Sequence, residues 1–420
     1  MSRLAASGVA LLFFASAFAG CAHRCASLAG GASTNVVAPQ PAEVRTGRGN
    51  LSPDLSALSS YDAVDRVLSP LPAAGQYRAL RVEEVQCLAA ANAPLAKLYA
   101  SESEAATTNT GRRGQQAAPV QAKLMAYRAV DQRNKAAGLA LELFYRLAEA
   151  EANHDILDRS IEEIDRAVAN LDQLRQSGLK VPVDQTAVRR QKLDGLDRRI
   201  QLSSAVRQMQ GQLQQLCGFE ADETMPVWPE ADLIVTITPV DVQAAVAEGL
   251  ASRADVGALG MLNVSLNADT LPAARSGMAP LGAGLGASII SKRLLGGKSG
   301  SAEELQARQA QLTQAQADTV RTASREIGEA AHDVETRLRE IAVAKERQEL
   351  WAHRVAELQE RHETDGVTAF DLSAARLEWL HAQSDTVRRV IAWKIAQVKL
   401  KQAQGLLAAE CGYRLPESCR

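Results

Sequence analysis

Few residues in this 420-residue chain stand at spacings that chemistry requires. Gly296-Gly297-Lys298-Ser299 has the tail of a phosphate-binding loop, in which glycine amides cradle a phosphate that lysine neutralises. The full pattern needs a glycine at position 292, where the chain has Lys292, and no convincing strand precedes it. The stretch reads as a flexible loop. His332, His353, His362 and His381 fall on stretches of helical periodicity or at their ends. A helical zinc pair places two imidazoles at i and i+4, but His353 and His362 are nine apart, with no adjacent cysteine. They read as solvated helix positions. No nucleophile, base and orienting group gather into a catalytic constellation, and neither a metal site nor a cofactor motif emerges. The chain does not read as an enzyme.

The elements that carry these residues are long helices. Lys and Arg total 47 against 49 Asp and Glu, a balance that does not point to nucleic acid as the main partner. Aromatics are 4%, while Ala, Gln, Glu, Arg and Leu crowd the middle and end of the chain. With a 3.5-residue period, that composition signals long helices rather than one globular core. Leu157, Ile161, Ile164, Val168 and Leu171 step by four and three, as a seam facing another helix does. Val320, Ile327, Val334 and Ile341 recur every seven residues.

Residues 1–20 form a targeting segment, with Arg3 ahead of an apolar stretch too short and Ala-rich for a confident membrane span. It ends in Phe18-Ala19-Gly20-Cys21, which resembles the bacterial lipobox. That resemblance implies lipidation of Cys21 and, with Ala22 following, sorting to the outer membrane. Residues 21–80 read as a flexible tether with a short helix around Tyr61–Leu68. A first helical repeat spans 81–218, with a helix from about Arg81 to Glu102 kinked at Pro94. Helices at about 117–176 and 184–216 follow, folded back on each other at Ser177-Gly178. The connector 219–238 holds Leu233–Ile237, the best strand candidate. A second repeat spans 239–412. It contains a helix from Asp241 through Leu259, then helices at 302–363 and 371–410 that turn at Asp365-Gly366; a tail, 413–420, closes the chain.

The copies align by residue. Val85, Leu95 and Leu98 match Val246, Val256 and Leu259, while Gly178 and Asp184 match Gly366 and Asp371. Leu216-Cys217-Gly218-Phe219 matches Glu410-Cys411-Gly412-Tyr413. Cys411 with Cys419 could close a small loop, but spacing leaves the pairing open. Ion pairs such as Glu162–Arg166 and Asp333–Arg337 read as solvated faces, and Trp351, Trp379 and Trp393 as inter-helix packing.

This doubled order resembles the TolC-type outer-membrane efflux family over roughly residues 80–412. Asn92-Ala93-Pro94-Leu95 and Arg253-Ala254-Asp255-Val256 stand where the family's opening-helix motifs stand. Glycine and acid at each hairpin tip, and Leu-x-x-x-x-Gly endings at Leu213–Gly218 and Leu407–Gly412, complete the likeness. The resemblance implies a mainly α protein with minimal β content. Two tandem repeats of long antiparallel hairpins would form a homotrimeric α-helical barrel across the periplasm. It further implies tips at Gly178, Asp184, Gly366 and Asp371 that meet a periplasmic adaptor and an inner-membrane pump. Asp184 and Asp371 read either as plain helix caps or as acids lining the entrance.

One departure is clear. The family places a strand hairpin before each very long helix, and a spanning strand needs about 9–11 residues. Residues 103–115 are too few and too polar, and 277–300 carry seven glycines, with only Ala287–Ser291 strand-like. A missing or vestigial membrane β-barrel is therefore expected. The two readings are an efflux or type I secretion duct and a barrel-less periplasmic coiled-coil scaffold.

Overall fold

The computed structural model describes residues 44–46, 76–108, 117–178, 184–219, 225–235, 239–271, 302–364 and 368–414. Cys21, the Tyr61–Leu68 helix, Gly366, the Gly296–Ser299 loop, Ala287–Ser291 and Cys419 lie outside the described residues.

The first repeat opens with β1 (Val44–Thr46) and β2 (Gln76–Arg81), then α1 (Val82–Asn92), α2 (Pro94–Thr108), α3 (Ala117–Gln176) and α4 (Gln185–Cys217). After β3 (Val227–Glu230) come α5 (Val242–Ser252), α6 (Ala254–Ser265), α7 (Ala302–Thr364), α8 (Ala369–Gln404) and α9 (Leu406–Glu410). The fold is mainly α. Pro94 does not kink one helix but starts a second, because proline lacks the N–H that an interior position needs and suits the first helical turn.

Residues 76–81, all but Arg81 in the stretch assigned to the tether, form the central strand of a small sheet ordered β1-β2-β3. β1 pairs antiparallel and β3 parallel to β2. The expected strand at Leu233–Ile237 does not form over its described part: Leu233–Val235 is irregular, although Leu233 and Val235 are fully buried. Val227-Trp228-Pro229-Glu230 pairs instead, with Arg78 opposite Val227 and Leu80 opposite Pro229. Arg78 N–H donates to Pro226 O, so the proline nitrogen at 229 faces the outer edge, where no ladder donor is needed. Hydrophobicity located a buried segment; edge chemistry decided which residues pair.

The four long helices lie side by side in the order α4, α3, α8, α7. The seam residues are inside: Ile161, Ile164 and Leu171 on α3, and Ile327, Val334 and Ile341 on α7, are all buried. The largest core gathers at mid-length, where Leu80, Phe144, Leu213, Trp228, Ile391 and Leu407 meet. Smaller clusters sit at the two ends, Leu124, Leu259 and Leu312 at one and Ile164, Leu171 and Val188 at the other.

The hairpins do not end level. Along the α3–α8 seam, Asn134 donates to Gln402 O at 2.8 Å, Ser384 to Asn153 at 2.7 Å and Ser373 to Glu163 at 2.9 Å. These pairs hold one antiparallel register, which sets Thr368, just before α8, beside Val168. α3 continues to Gln176, about eight residues or roughly 12 Å farther. Burial agrees: Leu171 is 2% exposed, and every residue from Gln173 to Gly178 is exposed.

Candidate functional site

The residues with the potential for chemistry are His154, Asp158 and Ser203, whose spacing in the sequence forms no recognisable motif. His154 Nε2 lies 3.0 Å from Ser203 Oγ across the α3–α4 seam, and Nδ1 lies 3.4 Å from Asp158. The order mimics a hydrolase triad, but the rest of that machinery is absent. All three sit inside helices, whose amides are committed to helical bonds and cannot form an oxyanion hole. Two cavities, of about 330 and 750 Å³, lie against the α5–α6 junction, and His154 lines neither. The trio joins two helices. His332, His353, His362 and His381 are all exposed, and among the described residues no group of His, Cys, Asp or Glu could hold a metal ion.

The tips follow from capping. Gly178 takes φ +76° and ends α3, its N–H donating to Arg175 O at 3.0 Å. Asp184 accepts from Thr186 N–H at 2.9 Å and caps α4. Its counterpart differs: Thr368 caps α8, accepting from Asp371 N–H at 3.2 Å and donating to the Asp371 carboxylate at 2.6 Å. α8 thus starts three residues earlier than the repeat implies, and Asp371 is the third residue of the helix, completing a reciprocal cap. Asp184→Ala and Thr368→Ala should each cost about 1 kcal/mol in urea unfolding, and Asp371→Ala less. Equal losses at Asp371 and Thr368 would contradict this division. Just inside the tips, Glu163 is 4% exposed yet accepts from Ser373 and, at 2.8 Å, from Arg166, with Arg376 3.5 Å away. It ties α3 to α8. Glu163→Ala should cost about 2 kcal/mol by orphaning these donors, while Glu163→Gln, which keeps an acceptor for Ser373, should recover part of it.

At mid-length the chain builds a joint that the sequence did not disclose. The final helix, expected to run to 410, breaks at Gly405, whose φ of +79° only glycine adopts freely. Its built Cβ would meet Arg253 Cα at 3.2 Å. Side chains from other elements take up the backbone groups around the break. Asn134 donates to Gln402 O and accepts from Leu407 N–H at 3.0 Å; Arg253 donates to Ala403 O at 3.1 Å. Gln86 of α1 donates to Leu407 O at 2.9 Å, and Gln404 to Ala245 O of α5 at 3.1 Å. The Cys87–Cys411 disulfide, with Cα atoms 5.2 Å apart, fastens α1 beside the end of α9. Cys411 is therefore not paired with Cys419.

Arg253 also donates to Asp255 and Glu326 at 2.7 Å each, and its hydrogen bond to Asp255 leads in holding the guanidinium protonated. Burial pushes the Asp255 carboxyl up, but the Arg253 hydrogen bonds and charge outweigh it and hold the group below the usual range. Its stabilising contribution is complete above the ordinary aspartate pKa and fades as pH falls through the lowered one. The first repeat has a simpler joint. Asn92 donates to Cys217 O at 2.6 Å beside Gly218, which has φ +76° and no room for a Cβ against Asn92.

This geometry corrects the repeat by one heptad. Asp184 to Gly218 and Asp371 to Gly405 span the same number of residues, so Gly218 corresponds to Gly405, not Gly412. The helix-ending motif is then Leu400–Gly405, and Cys217 corresponds to Gln404 rather than Cys411. A constant offset from the tips was the signal available in the sequence; a local Cys-Gly match obscured it.

The outermost helices leave two unpartnered edges. α4 carries six Lys or Arg against two Asp, and α7 carries thirteen Asp or Glu against nine Lys or Arg. Part of this charge is used internally, as in Arg199–Asp158 and Lys192–Asp165. Arg198 and Arg207 on α4, and Glu346 and Glu360 on α7, are exposed and make no ion pair among the described residues. Each edge also exposes two apolar residues seven apart: Leu193 (65%) and Ile200 (68%) on α4, Val343 (56%) and Leu350 (64%) on α7. Such spacing returns to one helix face.

Solved structures share this architecture. The Campylobacter jejuni CmeC outer membrane channel matches with a TM-score of 0.58 at 12% identity, over 88% of this chain and 96% of that one. The open state of the Neisseria gonorrhoeae MtrE outer membrane channel gives 0.55 at 11%, over 77% and 89%. The outer-membrane channel OprN gives 0.52 at 15%, over 70% and 71%. At these identities the likeness is one of fold, and the fold is TolC-like. No family model matches the chain, and no curated protein matches it.

Proposed function

We propose that this protein is the duct-forming, outer-membrane-associated component of a tripartite efflux or type I secretion system. It works as a homotrimer whose twelve long helices enclose a periplasmic passage. It carries no catalytic role and conducts passively. The observation that carries this reading is the pair of complementary edges. A four-helix layer with a basic edge on α4 and an acidic edge on α7 suits head-to-tail closure into a ring. Through the contacts Arg199–Asp158, Ser384–Asn153 and Arg347–Asp385, Arg207 stands level with Glu346 across the layer. In a ring, these two residues of neighbouring copies would face each other. The tips around Gly178, Asp184, Gly366 and Asp371 then meet a periplasmic adaptor and, through it, an inner-membrane pump. A lipid on Cys21 holds the assembly to the outer membrane.

A second reading, a periplasmic scaffold that does not conduct, is favoured by one observation. Only eight residues separate Thr108 from Ala117, whereas a hairpin of two spanning strands needs roughly twenty. The stretch between α2 and α3 therefore has no length for a membrane hairpin, whereas the 30 residues between Leu271 and Ala302, ahead of the other very long helix, do. The test is the mass of the detergent-solubilised protein, corrected for bound detergent. A value near three times 44.9 kDa supports the ring, and a monomer or dimer removes it. For a confirmed trimer, ion conductance in a planar bilayer separates duct from scaffold.

A further inference from the structure

We propose that the cavity of about 750 Å³ between α3, the α5–α6 junction and α9 binds an anionic amphiphile, a single acyl chain ending in a carboxylate or a phosphate. Its size falls within the roughly 300–1,000 Å³ of ligand pockets, which are mainly apolar with a few polar groups that fix orientation. The proposal goes beyond the duct reading and does not depend on it, because one chain supplies the whole lining. Head-to-tail closure would join the α4 and α7 edges, and neither helix lines the cavity.

Helix faces that stop short of each other make the space. On α6, Gly257, Gly260, Met261 and Val264 stand at i, i+3, i+4 and i+7, which is one face of the helix. The opposite face, with Leu259 and Leu262, is buried against Leu124 and Leu312. The two glycines withhold the side chains that would fill the first face, and Val264 is left 90% exposed. Gly257 must stay small, since its built Cβ would meet Tyr127 Cε1 at 2.6 Å. Gly260 need not, with nothing nearer than Gln316 Nε2 at 3.6 Å. Across the space α3 presents Tyr127 and Val130, both buried, and α9 presents Leu406 and Ala409. The charge of the lining has one sign. Lys123, Arg253 and Arg414 contribute to it, and no Asp or Glu does. Asp255 and Glu326, which pair with Arg253, line the neighbouring cavity of about 330 Å³ instead. Arg133 adds a further cation, stacked 4.3 Å from the centroid of the Tyr413 ring, and its buried Nε has no hydrogen-bond partner among the described residues. Val264 and Arg414 are exposed members of the lining and so mark its mouth. Apolar walls under a cationic mouth with no carboxylate select a chain with a negative head over a neutral or cationic one.

The test irradiates the full chain, purified in a maltoside detergent, with hexadecanoic acid that carries a diazirine on its chain. Adducts are mapped by peptide mass spectrometry and should fall on residues 257–265 and 406–413. Unlabelled hexadecanoate and hexadecyl phosphate should both displace the reagent, and the stronger of the two tells a fatty acid from a phosphate-headed lipid. Methyl hexadecanoate, with the same chain and no charge, should need at least about tenfold more. Val264→Asp, at a position with no packing to lose, sets a carboxylate at the mouth and should lower labelling at least about tenfold. Gly260→Leu should abolish labelling by filling the space. Helical circular dichroism and the oligomer mass should be unchanged in both variants, so a failure of the duct reading shows separately in the mass of the unmodified protein. Equal displacement by the methyl ester would overturn the proposal, as would full labelling of folded Val264→Asp protein. So would adducts that fall on Leu193 and Ile200 in equal yield, or none at the cavity.

Discussion

The doubly substituted Leu193→Glu, Ile200→Glu protein should run as a single folded chain where the unmodified protein runs as an oligomer. Both side chains are about two-thirds exposed in the isolated chain, so the substitutions leave its core untouched. Helical circular dichroism and the unfolding midpoint should therefore stay close to those of the unmodified monomer. In a ring both residues face α7 of the next copy. Each fully buried Leu or Ile contributes about 1.5–3 kcal/mol, and a carboxylate in its place adds a desolvation cost beside an acidic helix. Two such changes at every interface should exceed what the seam can supply. A milder pair checks the register. Arg207→Glu should weaken the oligomer by no more than about 1 kcal/mol per interface, and adding Glu346→Arg should restore it. Analytical ultracentrifugation reads both experiments. An oligomer that survives the double apolar substitution would show that α4 is not an interface.

The second large effect concerns the disulfide. Cys87 and Cys411 are 324 residues apart, and the bond closes both hairpins into one covalent loop. Cross-linking so long a loop restricts the unfolded chain heavily, and its loss should cost about 2–5 kcal/mol. Cys87→Ser with Cys411→Ser should lower the urea midpoint by the corresponding amount, and reductant should do the same to the unmodified protein. The joint should loosen first. Hydrogen exchange should rise at Leu407 and around Gln402, whose backbone groups Asn134 and Gln86 hold in place. Attack by Cys217, the one free cysteine among the described residues, should be slow, because burial pushes its thiol up to about 12 and leaves almost no thiolate. A midpoint unchanged by reductant would mean that the side-chain network alone sets the stability of the joint.

Much of the architecture was legible in the residues themselves. Helix type and length depend on local periodicity and on breakers, so α3 falls on 117–176 and α7 ends within a residue of its expected limit. The hairpin order was legible for the same reason, since short glycine turns leave a returning helix nowhere else to pack. β2 and β3 were not. Their pairing joins segments about 150 residues apart, and neither is long or apolar enough to announce a strand.

The sequence by itself determined that this protein is a doubled set of long hairpins whose apolar seams need helical neighbours. It also determined where each hairpin turns, because heptads, glycines and caps act within a few residues of one another. Only the tertiary structure decided the rest. The register between α3 and α8, the uneven ends of the hairpins and the break at Gly405 depend on distant contacts. So do the choice of Cys87 as the partner of Cys411 and the exposure of one basic and one acidic edge. A heptad repeat is nearly unchanged by a shift of seven residues, so pattern alone cannot choose among registers. Buried side chains such as Asn134 and Glu163, each with partners at one register only, make that choice.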